Sequence, residues 1–195
     1  PQTEEEFPDD LDHVFAALKT VSLKDQWGVS FEFDDTVEKQ QALRLLEAMD
    51  RLQSFARGEV KRSSLWRTSP VDCPPESGEF INAAVAFEAR DGLTPEALLH
   101  QLKLLEKQYG RAANPVRNAP RELDLDLLLF DDETRQSADF VLPHPRAVDR
   151  LFVLAPAAEV LPDAHWPGTG QTIRQLLAAL RSDETVVRLD ASHVE

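Results

Sequence analysis

The chain has 195 residues, 42% of them hydrophobic, and a formal net charge of −14. That length suits one domain, with or without a tail, and that apolar content is enough for a core. The charge argues against a nucleic-acid binder built on a basic face, the lone Cys73 excludes an internal disulfide framework, and no apolar run is long enough to cross a bilayer.

Taken in chain order, residues 1–26 read as an acidic tail with one short amphipathic run at residues 11–18. Thirteen acids stand against four bases in the first fifty residues, and no basic start leads into an apolar run. A signal peptide is therefore not expected, and a cytoplasmic protein is. Weak alternation over residues 27–33 predicts a first strand. Asp35 or Thr36 is placed to cap the helix that follows, with Glu38 near its third position. Leu43, Leu46, Met49 and Leu52 line one side of that helix, and Gly58 sits just past its end. Residues 60–68 predict a second strand, 69–78 a loop of turn formers, and 80–88 a third strand that is apolar on both faces. Thr94-Pro95 reads as N-cap and first position of a second helix. That helix runs to about Tyr109, with Leu98, Leu102 and Leu105 inward and Gly110 at its stop.

The next stretch, Pro120-Arg121-Glu122-Leu123-Asp124-Leu125-Asp126-Leu127-Leu128-Leu129-Phe130, alternates leucine with acid and predicts a strand with one face buried. Asp124 and Asp126 would then project from one face, their Cα atoms roughly 7 Å apart. Two carboxylates on rigid backbone behind an arginine can hold Mg²⁺ against a polyphosphate. Taken alone, the pair reads more readily as a solvated strand face or a charged edge that discourages sheet association. Six arginines, at positions 111, 117, 121, 135, 146 and 150, give this part of an acidic chain a local cationic field suited to a small polyanion. An extended segment ends at Leu142-Pro143-His144-Pro145, residues 151–158 are apolar, and residues 172–180 predict a last short helix. The order β-α-β-β-α-β is that of a ferredoxin-like α+β sandwich, with two helices on one face of an antiparallel sheet.

Several segments together carry a resemblance. They are Ser63-Ser64-Leu65-Trp66-Arg67-Thr68, Phe80-Ile81-Asn82-Ala83-Ala84-Val85, Leu105-Glu106 through Gly110-Arg111, the Asp124/Asp126 stretch, Leu142-Pro143-His144-Pro145-Arg146, and Asp149-Arg150-Leu151-Phe152-Val153-Leu154. From residue 62 onward the chain resembles the 6-hydroxymethyl-7,8-dihydropterin pyrophosphokinases of folate biosynthesis. The resemblance implies a domain at 27–185 between the acidic tail 1–26 and a C-terminal tail 186–195. It implies ATP as co-substrate, a pterin alcohol as acceptor, and two Mg²⁺ ions held by Asp124 and Asp126. It gives Arg111, Arg121 and Arg150 to the triphosphate, with His144 and Glu106 beside the nucleotide. It gives Phe80 and Phe152 to stacking on the pterin, Asn82 to its hydrogen-bonding edge, and Thr68 and Val71 to the same pocket.

The chain also departs from the family pattern. Phe33-Asp34-Asp35-Thr36 stands where a Gly-Ser-Asn loop is usual, Ala113 replaces an arginine and Asn118 a tryptophan, and Glu122 adds a third carboxylate to the face of Asp124 and Asp126. A catalytically impaired relative that binds pterin or nucleotide, or docks onto another folate enzyme, is therefore the alternative expectation. A ferredoxin-like nucleic-acid module is disfavoured by charge and by the lack of an aromatic-basic sheet motif.

Overall fold

The computed structural model describes residues 29–30, 36–71, 78–109, 123–189 and 192–193. The chain divides into two compact units, Phe33–Leu189 and a smaller one made of Pro1–Glu32 and Asp190–Glu195. In the smaller unit Val29–Ser30 (β1) pairs antiparallel with Ser192–His193 (β9). The expected acidic tail lies outside the described residues, as do the acids at positions 34 and 35 and residues 110–122.

The larger unit mixes helices with short antiparallel strands, an α+β composition. Helix α1, Thr36–Leu52, buries Ala42, Leu46 and Met49 at helical spacing, with Ala48 and Leu52 beside them. Leu43, expected on the inward side, is only half-buried because Ala42 holds that place. The helix passes into a 3-10 turn at Gln53–Phe55, and Gly58 follows at φ +93°, a left-handed conformation that suits glycine.

The second and third expected strands are each broken in two. Lys61–Arg62 (β2) and Leu65–Thr68 (β3) face Val85–Ala86 (β5) and Phe80–Asn82 (β4) respectively, all antiparallel. Arg62 sits opposite Val85 and Trp66 opposite Asn82, so three residues on one strand span two on the other. This is a β-bulge at Ser63-Ser64-Leu65, and it explains why neither strand is continuous. Ser63 stays paired at the break: its N–H donates to the Ala84 carbonyl at 2.9 Å and its Oγ accepts from the Ala84 N–H at 2.8 Å. The Ser64 N–H leaves the ladder and donates to Glu159 Oε2 at 2.6 Å. The same carboxylate accepts from Trp66 Nε1 at 3.2 Å and forms an ion pair with Arg188, whose Nε lies 3.0 Å from Oε1 and donates to Ser64 Oγ at 2.8 Å.

Residues 186–195 read as a tail in the sequence. The structure instead places Val186–Leu189 as strand β8 against the other side of β3, giving the order β4-β3-β8. Helix α2, Pro95–Gln108, follows its sequence signals: Thr94 Oγ1 accepts from the Ala97 N–H at 3.2 Å, and Leu98, Leu102 and Leu105 are buried.

The alternating stretch 123–130 differs from the expected strand. Among the described residues it joins no ladder, apart from one bridge between Phe130 and Asp132. It is nonetheless alternately buried, with Leu123 inside and Asp124 and Asp126 exposed. Leu123, Leu125 and Leu127 join α1 and α2 in one core, while Leu128 and Leu129 join a second core around Leu154, Trp166 and Ile173. A short hairpin follows, Arg135–Gln136 (β6) with Val141–Leu142 (β7). The Leu142–Pro143 peptide is cis. After the 3-10 turn Ala147–Asp149 come α3, Leu151–Val160, and α4, Ile173–Ala179. Thr172 and Gln175 close a capping box on α4, as its sequence signals require.

Candidate active site

Two groups of side chains form the candidate site, and they are built in different ways. The first surrounds the Asp124/Asp126 stretch. Lys103 and Glu106 lie one helical turn apart on α2 and face Leu125, the residue between the two aspartates. Glu106 Oε1 accepts from the Leu125 N–H at 2.7 Å, and Lys103 Nζ donates to the Leu125 carbonyl at 2.9 Å. Lys103 Nζ also pairs with Glu106 Oε1 at 2.7 Å and approaches Asp126 Oδ1 at 3.8 Å. The backbone polar groups that a neighbouring strand would satisfy are here taken by side chains.

The Glu106 side chain is fully buried. Burial pushes its carboxyl above the ordinary carboxylate range, opposed by the Leu125 N–H and Lys103 and assisted by a hydrogen bond with Asp124. His144 follows the cis proline, and its N–H donates to the Leu128 carbonyl at 2.9 Å, which ties it to the same stretch. Its Nε2 lies 4.0 Å from Asp126 Oδ2. Burial, together with the positive charges of Arg150, Arg146 and Lys103, lowers the His144 pKa against the pull of Asp126. A neutral imidazole near pH 7 follows, able to accept as well as donate a hydrogen bond.

The second group sits on the β3–β4 ladder. Thr68 is opposite Phe80 and Trp66 opposite Asn82, so Thr68, Phe80 and Asn82 share one face. Asn82 Nδ2 donates to Thr68 Oγ1 at 2.7 Å, which fixes the amide. Val71, half-buried, closes the described stretch beyond β3. Strand β8 is approached by residues that hold this group: the Ser69 N–H donates to the Thr185 carbonyl at 2.9 Å, and Glu184 Oε2 accepts from the Phe152 N–H at 3.0 Å. That last bond caps α3, which has no side-chain cap of its own. The Arg150 guanidinium lies 5.3 Å from the Phe152 ring centroid, and its charge also acts on His144. Arg150 thus joins Phe152 to the first group.

Of the residues expected from the sequence, the structure brings Asp124, Asp126, Glu106 and His144 together in one group and Thr68, Phe80 and Asn82 in the other, while Arg150 acts on His144 and lies over the Phe152 ring. Arg111 and Arg121 lie outside the described residues. Lys103, Glu184 and Glu159 were not anticipated. Only Lys103 had a sequence signal, its position three residues before Glu106 on one helix face.

Among the described residues no three His, Cys, Asp or Glu side chains gather as a metal cage. Two exposed carboxylates beside a cationic field suit Mg²⁺, which takes one or two carboxylates and completes its shell with phosphate oxygens and water. No helix among the described residues is long and apolar enough to cross a membrane.

Comparison with known proteins bears on this site. The family model described as 7,8-dihydro-6-hydroxymethylpterin-pyrophosphokinase (HPPK) matches residues 36–162. A Synechocystis protein named 2-amino-4-hydroxy-6-hydroxymethyldihydropteridine pyrophosphokinase is 38% identical over 130 residues, which cover 67% of this chain and 65% of the relative. A Bacillus subtilis protein of the same name is 40% identical over 121 residues, 62% of this chain and 67% of the relative. A folate synthesis bifunctional protein of Arabidopsis thaliana is 36% identical over 115 residues, 59% of this chain but 23% of the relative. The matched part of the chain thus spans about two-thirds of the bacterial relatives' length.

Proposed function

The chain belongs to the 7,8-dihydro-6-hydroxymethylpterin-pyrophosphokinase family, and on that premise we propose that it moves pyrophosphate from ATP to 6-hydroxymethyl-7,8-dihydropterin and releases AMP. It is, on this reading, a 2-amino-4-hydroxy-6-hydroxymethyldihydropteridine diphosphokinase of folate biosynthesis on a ferredoxin-like βαββαβ frame with a C-terminal extension. The hydroxymethyl oxygen attacks the β-phosphorus. The bond from that phosphorus to the oxygen bridging the α-phosphate breaks, AMP leaves with the electron pair, and the hydroxyl proton passes to solvent. Such transfers depend on positioning and charge neutralisation more than on covalent chemistry.

The observation that carries this reading is the pair of exposed aspartates bracketing a backbone residue held at both its polar groups. Asp124 and Asp126 would hold the Mg²⁺ ions, two by the resemblance, which neutralise the triphosphate when bound. Arg111, Arg121 and Arg150 are assigned to the phosphates, with bidentate forks suited to that task. His144 and Glu106 lie on the nucleotide side. Phe80 and Phe152 stack on the pterin, Asn82 meets its edge, and Thr68 and Val71 complete the pocket. ATP and the pterin are the ligands, and the Arabidopsis relative's bifunctional name motivates other folate-pathway enzymes as partners. The activity is assigned to the cytoplasm.

AMP release from ATP, dependent on both the pterin and Mg²⁺, tests the activity directly. Pterin-independent AMP release, or none, would sink it. Sedimentation with the enzyme that consumes the pterin diphosphate tests the partnership, and independent migration would remove it. Cell fractionation checks the compartment, with recovery in any other fraction counting against it.

A further inference from the structure

The two aspartates hang on a stretch of chain that no β-ladder holds among the described residues, so something else must fix their spacing and direction. Two α2 side chains take that place. Glu106 Oε1 holds the Leu125 N–H at 2.7 Å and Lys103 Nζ holds the Leu125 carbonyl at 2.9 Å, while the two side chains bond each other at 2.7 Å. The result is a closed ring through Leu125 with no long contact in it. Its anchor is stiff, because Glu106 is fully buried and Leu98, Leu102 and Leu105 of the same helix are packed in the core. Rotating Leu125 about its backbone would break two charge-assisted hydrogen bonds at once and swing both neighbouring carboxylates.

We propose that Lys103 and Glu106 are positioning residues that set the geometry of the Asp124/Asp126 metal site by clamping Leu125 between them. The proposal rests on the functional reading above. It assigns Lys103 a part opposite to what its charge suggests. A cation 3.8 Å from Asp126 Oδ1 competes with a metal for that oxygen. If charge were its whole contribution, removing Lys103 would tighten metal binding. As a clamp, its removal loosens the aspartates and weakens binding, in the manner of residues that orient metal ligands from behind.

The test uses Mn²⁺ as a spectroscopic stand-in for Mg²⁺, titrated into the full chain with α,β-methylene-ATP, bound and unbound Mn²⁺ being separated by electron paramagnetic resonance. Melting temperature is read in parallel. Lys103→Met keeps the length and apolar stem but removes donor and charge, and should raise the Kd for nucleotide-bound Mn²⁺ roughly tenfold. Lys103→Gln restores a donor without a charge and should bring the Kd most of the way back. Glu106→Gln, which replaces the acceptor pair with a weaker amide, should fall between them. Tighter Mn²⁺ binding in both Lys103 variants, or an unchanged Kd in Lys103→Met, overturns the clamp. A lowered melting temperature with unchanged Mn²⁺ affinity overturns it too, leaving only a structural role. If Lys103→Met does not fold, Lys103→Gln decides alone, because loss of a counter-charge requires it to bind Mn²⁺ more tightly than the unmodified chain. Failure of the unmodified chain to bind Mn²⁺ with the nucleotide analogue would instead overturn the functional reading, and this proposal with it.

Discussion

The two sides of the candidate site, one proposed for the pterin and one for the metal, are secured by different means. On the pterin side Thr68, Phe80 and Asn82 ride on strands whose backbones pair with each other and, through β3, with β8. On the metal side Asp124 and Asp126 ride on an extended stretch held by Lys103, Glu106 and the His144 N–H. A ladder spreads its hold over many backbone bonds and tolerates the loss of a side chain. A grip made by side chains can be undone by one substitution. The first half should therefore be robust to mutation and the second sensitive, and this contrast can be tested from several directions.

The largest effect is expected from Asp124→Ala combined with Asp126→Ala. Both residues are exposed, so the fold should persist while Mg²⁺-dependent AMP release falls at least roughly a hundredfold, the scale of losing preorganised charge stabilisation. Near-normal turnover in that variant would remove the metal side from the chemistry altogether. Asn82→Ala probes the ladder side. It should raise the KM for the pterin roughly tenfold, the order of one lost hydrogen bond, and leave Mn²⁺–nucleotide affinity as it was. Equal losses toward both ligands would show that the two sides are not separate.

Glu159→Leu asks whether the ladder side is as independent of side chains as it looks. It removes the acceptor shared by the Ser64 N–H and Trp66 Nε1 and the ion-pair partner of Arg188, and should cost about 2 kcal/mol in denaturant unfolding, with little change in nucleotide affinity. No loss of stability would mean that pairing alone holds the bulge. The smallest effect is expected at Glu47 on α1, where the carboxylate accepts from Tyr109 Oη at 3.3 Å. Burial raises its pKa above 4.5, so the folded state pays for its ionisation at neutral pH. That penalty is absent once the group is protonated in both states. Glu47→Gln should thus stabilise the protein by less than about 1 kcal/mol at pH 7, and the gain should shrink as pH falls toward 4.5. A gain that persists below that pH would assign the effect to something other than charge.

Local signals in the sequence proved legible where a residue and its partner are close in the chain. Thr94-Pro95 marks the start of α2, residues 172–180 hold α4 as expected, and the leucine–acid alternation tells which way Asp124 and Asp126 point even though no ladder forms there among the described residues. What escaped depends on distant partners. The bulge at residues 63–65 is completed by Glu159, about half the chain away, and α3 is capped by Glu184. An acid in either place reads as a solvated residue until the fold brings its donor. Strand β8 escaped for a related reason: its outward Val187 and Arg188 blur the alternation, and only its register with β3 reveals it. Lys103 shows its spacing to Glu106 in the sequence and nothing more, because the Leu125 carbonyl it holds belongs to the backbone and leaves no mark there.

The extra residue at the bulge also governs how the chain length can change. Removing Ser64 would leave two residues facing two across the break, so Trp66 stays opposite Asn82 and Thr68 keeps its bond to that amide, while Glu159 loses the Ser64 N–H. A residue added in the turn between Gln136 and Val141 would lengthen a surface connection and leave every register in place. Insertions are expected to be absorbed at that hairpin and a Ser64 deletion at the bulge, whereas a residue added between Trp66 and Thr68 turns Thr68 away from Asn82 and abolishes pterin binding. A Ser64 deletion that no longer binds the pterin would show that the bulge itself sets the face Thr68 presents.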